Sequence, residues 1–234
     1  MNKTNKSVGV IGGIGPETTA EFYLAVIFGC QKLHCKERPL VVTSSIPLPL
    51  EIERDLIESN TGKERYIPFL IAEAQRLEKS GVDFLVMPCN SLHVFINEIR
   101  DAVNIPVLSI VEETIRHLKE NHLSKVGLIS TSATIANHVY ETKLLEAGIE
   151  FVTPDDLQKA KMDQIIQRLI NGQHLNKDRE DVLAVMRGLA TQNVDCIALA
   201  CTDLQLLLPN SDRVPIFDTM KILADATVRE ITAR

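Results

Sequence analysis

The chain has 234 residues, 45% of them hydrophobic and 24% charged, a composition suited to a globular protein that buries a core without disulfide staples. A net charge of −6 with no basic block argues against nucleic acid or an anionic membrane surface as partner, and no apolar run reaches the length of a membrane span. Five cysteines without framework spacing point to thiols in a reducing compartment. Residues 1–7 lead straight into strand-like sequence with no signal-peptide core, so a cytoplasmic protein is expected.

The first predicted strand is Val8–Ile11, which breaks into Gly12-Gly13-Ile14-Gly15-Pro16-Glu17-Thr18-Thr19. Its glycines permit tight turning and close backbone approach to a ligand, and Pro16 suits the first turn of a helix. That helix is expected to run to about Cys35, with Phe22, Val26 and Cys30 on one face. A dinucleotide fingerprint would need a third glycine at the position of Thr18, and the second strand, Leu40–Thr43, ends in Ser44-Ser45 rather than an acid. The loop suits a small carboxylate held at a helix N-terminus instead, with Gly12 and Gly13 as candidate ligands. Cys30 and Cys35 flank His34 with no further ligands grouped nearby, so they read as packing residues and no metal site is expected.

Ser44 to Leu50 carries two prolines and reads as a loop. From there to about Gly62 the chain is polar, with a short helix expected around Glu51–Ile57, and is either a lid over the ligand face or a solvated excursion. A helix follows from about Tyr66 to Lys79, its stripe made by Ile67, Leu70, Ala74 and Leu77, and Ser80-Gly81 stops it. Val82-Asp83-Phe84-Leu85-Val86-Met87-Pro88-Cys89-Asn90 is then an apolar run of strand length that ends at a thiol. A helix from Ser91 to about Val103, a strand at Ile105–Leu108 and a helix from Glu112 to Asn121 complete the first half.

The second half restarts at Lys125. Val126–Ile129 echoes Val8–Ile11, and its turn, Ser130 to Thr134, has hydroxyls where the first half has glycines, which makes Thr131 a candidate ligand. A helix is expected through His138 to Glu146, ending at Gly148, and residues 154–192 read as helical, with Val182, Val185, Met186 and Leu189 on one stripe. Val194-Asp195-Cys196-Ile197-Ala198-Leu199-Ala200-Cys201-Thr202 then repeats the earlier run: Val82 matches Val194, Asp83 matches Asp195, Cys89 matches Cys201. Val214–Phe217 echoes Ile105–Leu108, and a last helix starts at Asp218.

Strands alternating with helices mean parallel α/β units, and the echoes mean an internal duplication. The expected fold is α/β, with two pseudo-symmetric domains, each a parallel sheet flanked by helices. The active site is expected in the cleft between them, at the carboxyl ends of the strands. The expected domains are 1–100 with 212–234, and 101–211, the last helix packing back on the first domain.

Two thiols delivered to one cleft can do acid–base chemistry. A thiol has a pKa of about 8.5, which a helix N-terminus lowers by stabilising the thiolate. A thiolate on one face of a carbon and a thiol on the other can remove one proton and return another, inverting configuration. Asn90, Ser91 and Thr202 offer donors for a substrate carboxylate. Asp203 could bind an ammonium group or assist Cys201. His93, four residues after Cys89, either tunes that thiol or is a structural partner. Cys30, Cys35 and Cys196 read as packing residues.

The Gly12–Thr19 turn, Pro88-Cys89-Asn90-Ser91-Leu92-His93 and Ala200-Cys201-Thr202-Asp203 resemble the motifs of the aspartate/glutamate racemase superfamily, along essentially the whole chain. The likeness is to its aspartate racemase and broad-specificity amino-acid racemase branch. The resemblance implies a cofactor-independent, usually dimeric amino-acid racemase with Cys89 and Cys201 as its acid–base pair. The flanks Ala200 and Thr202-Asp203 stand where Gly and Thr-Glu are usual, and Ser91 where Thr is usual. Aspartate-specific members carry an arginine in the loop after the second strand; here the matching positions are Leu48-Pro49-Leu50, with Arg54 a few residues on. With Ser45 and Arg54 as auxiliary candidates, a neutral or wider range of amino acids is implied. Relatives on the scaffold also racemise hydantoins, isomerise maleate or decarboxylate arylmalonates, and a non-catalytic amino-acid-binding protein is a further alternative.

Overall fold

The computed structural model describes residues 5–33, 37–49, 51–52, 55, 62–207 and 215–233. The expected short helix at 51–57 falls mostly outside them, as do His34, Cys35 and Arg54. The first half has four strands: β1 (Val8–Gly12), β2 (Val41–Ser45), β3 (Phe84–Val86) and β4 (Val107–Leu108). They pair in parallel in the order β2-β1-β3-β4. The second half repeats this with β5 (Lys125–Ser130), β6 (Glu150–Val152), β7 (Cys196–Ala200) and β8 (Ile216–Asp218), in the order β6-β5-β7-β8. The two inner strands of each sheet are buried on both faces, so they read as unbroken apolar runs.

The repeated Val-Asp is structural and lies at the end of each sheet away from the cysteines. Asp83 Oδ2 accepts from the Ser7 amide at 2.5 Å and the Ser7 hydroxyl at 2.7 Å. Asp195 Oδ2 accepts from the Ser124 amide and hydroxyl at 2.7 and 3.0 Å and from the Lys125 amide at 2.9 Å. Each aspartate thus pins the start of one inner strand beside the other. These bonds hold the Asp195 carboxyl below its ordinary range.

Helices α1 (Pro16–Lys32) and α2 (Ile67–Lys79) match the expected stripes: Phe22, Val26 and Cys30 are buried on α1, and Leu70, Ala74 and Leu77 on α2. The expected helix 91–103 is instead a 3₁₀ turn, Ser91–Phe95, followed by α3 (Ile96–Asp101). After α4 (Ile110–Glu120), the expected helix through His138 is two short ones, α5 (Ser132–Ala136) and α6 (Glu141–Glu146). They are separated at His138, whose φ of 51° breaks the run. β6 was not foreseen: three residues at a sheet edge carry no readable period. Helices α7 (Asp156–Ile170), α8 (Asn176–Ala190) and α9 (Thr219–Thr232) complete the chain.

The boundaries expected at 100/101 and 211/212 do not follow sheet membership. β4 is hydrogen-bonded into the first sheet and β8 into the second. The helix after each of these strands packs on the other half: α4 on α6, and α9 on α1, with α4 and α9 against each other. The result is one core shared by both sheets, joining Val8, Phe22 and Phe84 to Val126, Tyr140 and Leu223.

Candidate active site

β3 ends at Val86 because Pro88 has no N–H to continue the ladder. The Cys89 amide turns back onto the Met87 carbonyl at 2.9 Å, and the thiol emerges at the carboxyl end of the strand. β7 runs through Ala200, and Cys201 follows it directly. The two turns touch: Thr202 Oγ1 donates to the Pro88 carbonyl at 3.4 Å. Cys89 and Cys201 line one cavity of about 70 Å³ between the two sheets. Asn90, Ser91, Thr131, Thr202 and Asp203 line it as well.

Cys201 is buried, and its thiol is pushed well above the ordinary thiol range. Desolvation is the largest cause, then the charge of Asp203, against which backbone N–H groups of Asp203 and Leu204 act less strongly. The expectation that a helix N-terminus lowers the thiol fails at Cys201, because burial beside a carboxylate outweighs a single 3₁₀ turn, Leu204–Leu207. Asp203 Oδ2 lies 3.9 Å from Cys201 Sγ, and its Oδ1 accepts from Thr18 Oγ1 at 2.6 Å. Burial raises the Asp203 carboxyl too, with the Thr18 bond acting the other way. Thr18, noted in the sequence only as the glycine that was missing, is thus what orients Asp203.

Asn90 is buried, and its orientation is set by others. Thr219 Oγ1 gives its proton to the Leu199 carbonyl at 2.8 Å, so it accepts from Asn90 Nδ2 at 3.1 Å. Asn90 Oδ1 in turn accepts from the Tyr140 hydroxyl at 2.5 Å. The second N–H of Nδ2 remains for a ligand. Ser91 reaches across to the second half: its hydroxyl lies 3.1 Å from Thr131 Oγ1 and 2.9 Å from Thr134 Oγ1, which are themselves 2.9 Å apart. Thr131 also caps α5, accepting from the Thr134 amide. The arrangement puts hydroxyl and amide donors from both halves beside the two thiols.

Other sequence candidates lie elsewhere. Gly12 and Gly13 do not line the cavity: Gly12 is inside β1, and the Gly13 amide already donates to Thr19 Oγ1 at 3.1 Å. The loop instead presents Ile14 and Gly15. Ser45 is exposed beside Gly13, outside the cavity. His93 is buried and does not line the cavity. Its Nε2 accepts from the Ile110 amide at 3.1 Å, which leaves the proton on Nδ1, 2.6 Å from the Cys89 carbonyl. Burial lowers its pKa to about 4, so it is a neutral brace between the Cys89 turn and α4. Residues missed by sequence reasoning are Tyr66, Leu92, Ala133, Asp163, Ile166 and Ile170. The last two and Asp163 come from α7, where spacings of three and four put them on one face. Among the described residues no group of His, Cys, Asp or Glu is arranged to hold a metal ion, and no helix is long and apolar enough to cross a membrane.

The comparisons with known proteins agree with this fold. The family model described as Asp/Glu/Hydantoin racemase matches residues 11–227. The chain is 32% identical over 226 residues to the broad specificity amino-acid racemase RacX of Bacillus subtilis (strain 168), covering 94% of this chain and 96% of that one. The structure superposes on an aspartate racemase from Picrophilus torridus with a TM-score of 0.81 and 25% identity, over 98% of this chain and 95% of that one. It superposes on an aspartate racemase homologue from Pyrococcus horikoshii OT3 with a TM-score of 0.78 and 25% identity, over 98% of this chain and all (100%) of the other. With the family model spanning nearly the whole chain, the protein belongs to the Asp/Glu/Hydantoin racemase family and is an isomerase, an amino-acid racemase.

Proposed function

We propose that the protein inverts the α-carbon of a free amino acid by proton transfer between Cys89 and Cys201, without pyridoxal phosphate. The observation that carries this is the pair of thiols at the carboxyl ends of the equivalent strands β3 and β7, lining one cavity from opposite halves. In one direction the Cys89 thiolate takes the α-proton and the Cys201 thiol gives its own proton to the opposite face. Cys89 ends as thiol and Cys201 as thiolate, and the reverse reaction exchanges the roles. Burial and the neighbouring Asp203 charge favour Cys201 as the thiol at rest. Asn90 Nδ2 and the hydroxyls of Ser91 and Thr131 are placed to hold the carboxylate, on which the carbanion's charge develops. We take the protein to act as a homodimer in the cytoplasm, where the thiols stay reduced.

The test is α-proton exchange in heavy water with a panel of L- and D-amino acids, for the wild type and for Cys89→Ser and Cys201→Ser. Exchange with inversion, lost in either variant, is the expected result. A folded wild type that exchanges no amino acid would overturn the reading in favour of the hydantoin, maleate or binding-only alternatives.

A further inference from the structure

The large apolar side chains left on the surface are unevenly spread. Of the eight exposed ones among the described residues, four lie on α1 or its C-cap: Tyr23, Leu24, Phe28 and Leu33. Leu24 is 40% and Phe28 53% exposed, so the helix that buries Phe22, Val26 and Cys30 is apolar at mid-length on its outer side too. A contiguous apolar patch of this kind marks an interaction surface, whereas single exposed residues do not. Leu24 and Phe28 form a row of spacing four. Beside it runs a groove between α1 and α9, lined by Ala25, Gly29 and Val228. The two helices approach there so closely that a Cβ on Gly29 would lie 2.7 Å from Val228 Cγ2. One face thus offers both a ridge and a groove, which is the self-complementarity that a two-fold contact needs.

The charges on this face fit the same symmetry. Glu21 and Lys32 line the groove near the two ends of α1. On α9, Lys221 pairs with Asp225, and Arg229 with Glu113; Glu21 and Lys32 have no ion-pair partner among the described residues. Two copies of α1 laid antiparallel, with Leu24 against the partner's Phe28, have their two-fold axis level with Val26. The axis that sets Glu21 against the partner's Lys32 is the same one to within half a residue. A parallel arrangement would bring like charges together. Resting on the homodimer reading above, we propose that the outer face of α1 and the α1–α9 groove are where a second copy of this chain packs, the two α1 helices antiparallel. A partner there braces the helices whose first turns carry Thr18 and Thr219, the side chains that orient Asp203 and Asn90.

The test is sedimentation equilibrium of the full chain. The proteins are the wild type, Phe28→Asp, Glu21→Lys, Lys32→Glu and the double variant Glu21→Lys with Lys32→Glu, each checked for its fold by circular dichroism. All three positions are exposed, where substitutions disturb folding little. The wild type is expected to be a dimer, and Phe28→Asp a monomer at the same concentration. Each single charge reversal is expected to raise the dimer dissociation constant by about tenfold or more, because the two-fold makes every change act twice. The double variant, which restores opposite charges, is expected to recover the wild-type value.

Three results would overturn the proposal. A monomeric wild type removes the homodimer reading and this interface together. A dimer that survives Phe28→Asp and both charge reversals unchanged leaves the homodimer reading standing and moves its interface elsewhere. A double variant that dissociates as readily as the single ones rejects the antiparallel arrangement.

Discussion

The Tyr140 hydroxyl donates to Asn90 Oδ1 at 2.5 Å, and with Thr219 on the other side it decides which end of the Asn90 amide the cavity receives. Tyr140 is fully buried, and that burial holds its hydroxyl above the ordinary phenol range, so it is a donor at all working pH. Tyr140→Phe leaves the Asn90 oxygen without its donor, because the Thr219 hydroxyl proton is already given to the Leu199 carbonyl. Loss of the bond is expected to cost about 1–3 kcal/mol of stability. It also frees the amide to turn its oxygen toward the substrate carboxylate. The steady-state signature is a KM raised more than kcat is lowered. An unchanged KM would show that Asn90 does not hold the substrate.

Asp203→Asn removes the charge that helps hold Cys201 protonated while keeping an acceptor for Thr18. The Cys201 thiol then ionises at lower pH than in the wild type. In the direction where Cys201 is the acid, the alkaline limb of the pH–rate profile moves to lower pH. Titration of the thiolate by its ultraviolet absorbance in a Cys89→Ser background reads the same shift without turnover.

His93 carries its own pH signature. Its pKa is lowered from 6.5 to about 4 in the folded protein. Above pH 6.5 both states are neutral and the His93 contribution is complete. As the pH falls from 6.5 toward 4, the unfolded chain binds a proton that the folded one refuses, so stability drops, by up to roughly 3 kcal/mol. Urea unfolding at both ends of this window should show the drop in the wild type. His93→Gln should show a shallower one. Equal slopes would place the acid sensitivity elsewhere.

Gly15→Ala and Gly148→Ala form a matched pair. Both glycines have positive φ, 76° and 72°, so each substitution costs about 1–2 kcal/mol in backbone strain. A Cβ at Gly15 would also lie 2.8 Å from Asp203 Oδ1, whereas at Gly148 nothing lies within 4 Å. Thermal unfolding should show the larger loss for Gly15→Ala. Activity should fall only in that variant, because Asp203, whose Oδ2 lies 3.9 Å from Cys201 Sγ, must shift. Equal activities would show that the Asp203 position is immaterial.

Much of this architecture was legible because it is local or repeated. The apolar runs at Val8–Ile11 and Val126–Ile129 could only be strands buried on both faces. The second copy of Val-Asp and of the strand-end cysteine marked equivalent places in two halves, and equivalent strand ends in facing parallel sheets share a cleft. The breaks at Phe95 and His138 were hidden, since a 3₁₀ turn and an α-helix present nearly the same short-range pattern.

What the sequence by itself determined was the alternation of elements, the duplication and the two thiols, all of which follow from hydrophobic period, chain punctuation and repetition. The tertiary structure alone decided which neighbours those thiols have. It placed Thr18 on Asp203, Tyr140 on Asn90, and Asp163 in the cavity wall from a helix far along the chain. It also left Gly12, Gly13, Ser45 and His93 out of the cavity lining. The physical reason is that a side chain's partners and its burial are set by long-range packing. Those two quantities, which fix proton affinity and hydrogen-bond direction, have no local signature in the sequence.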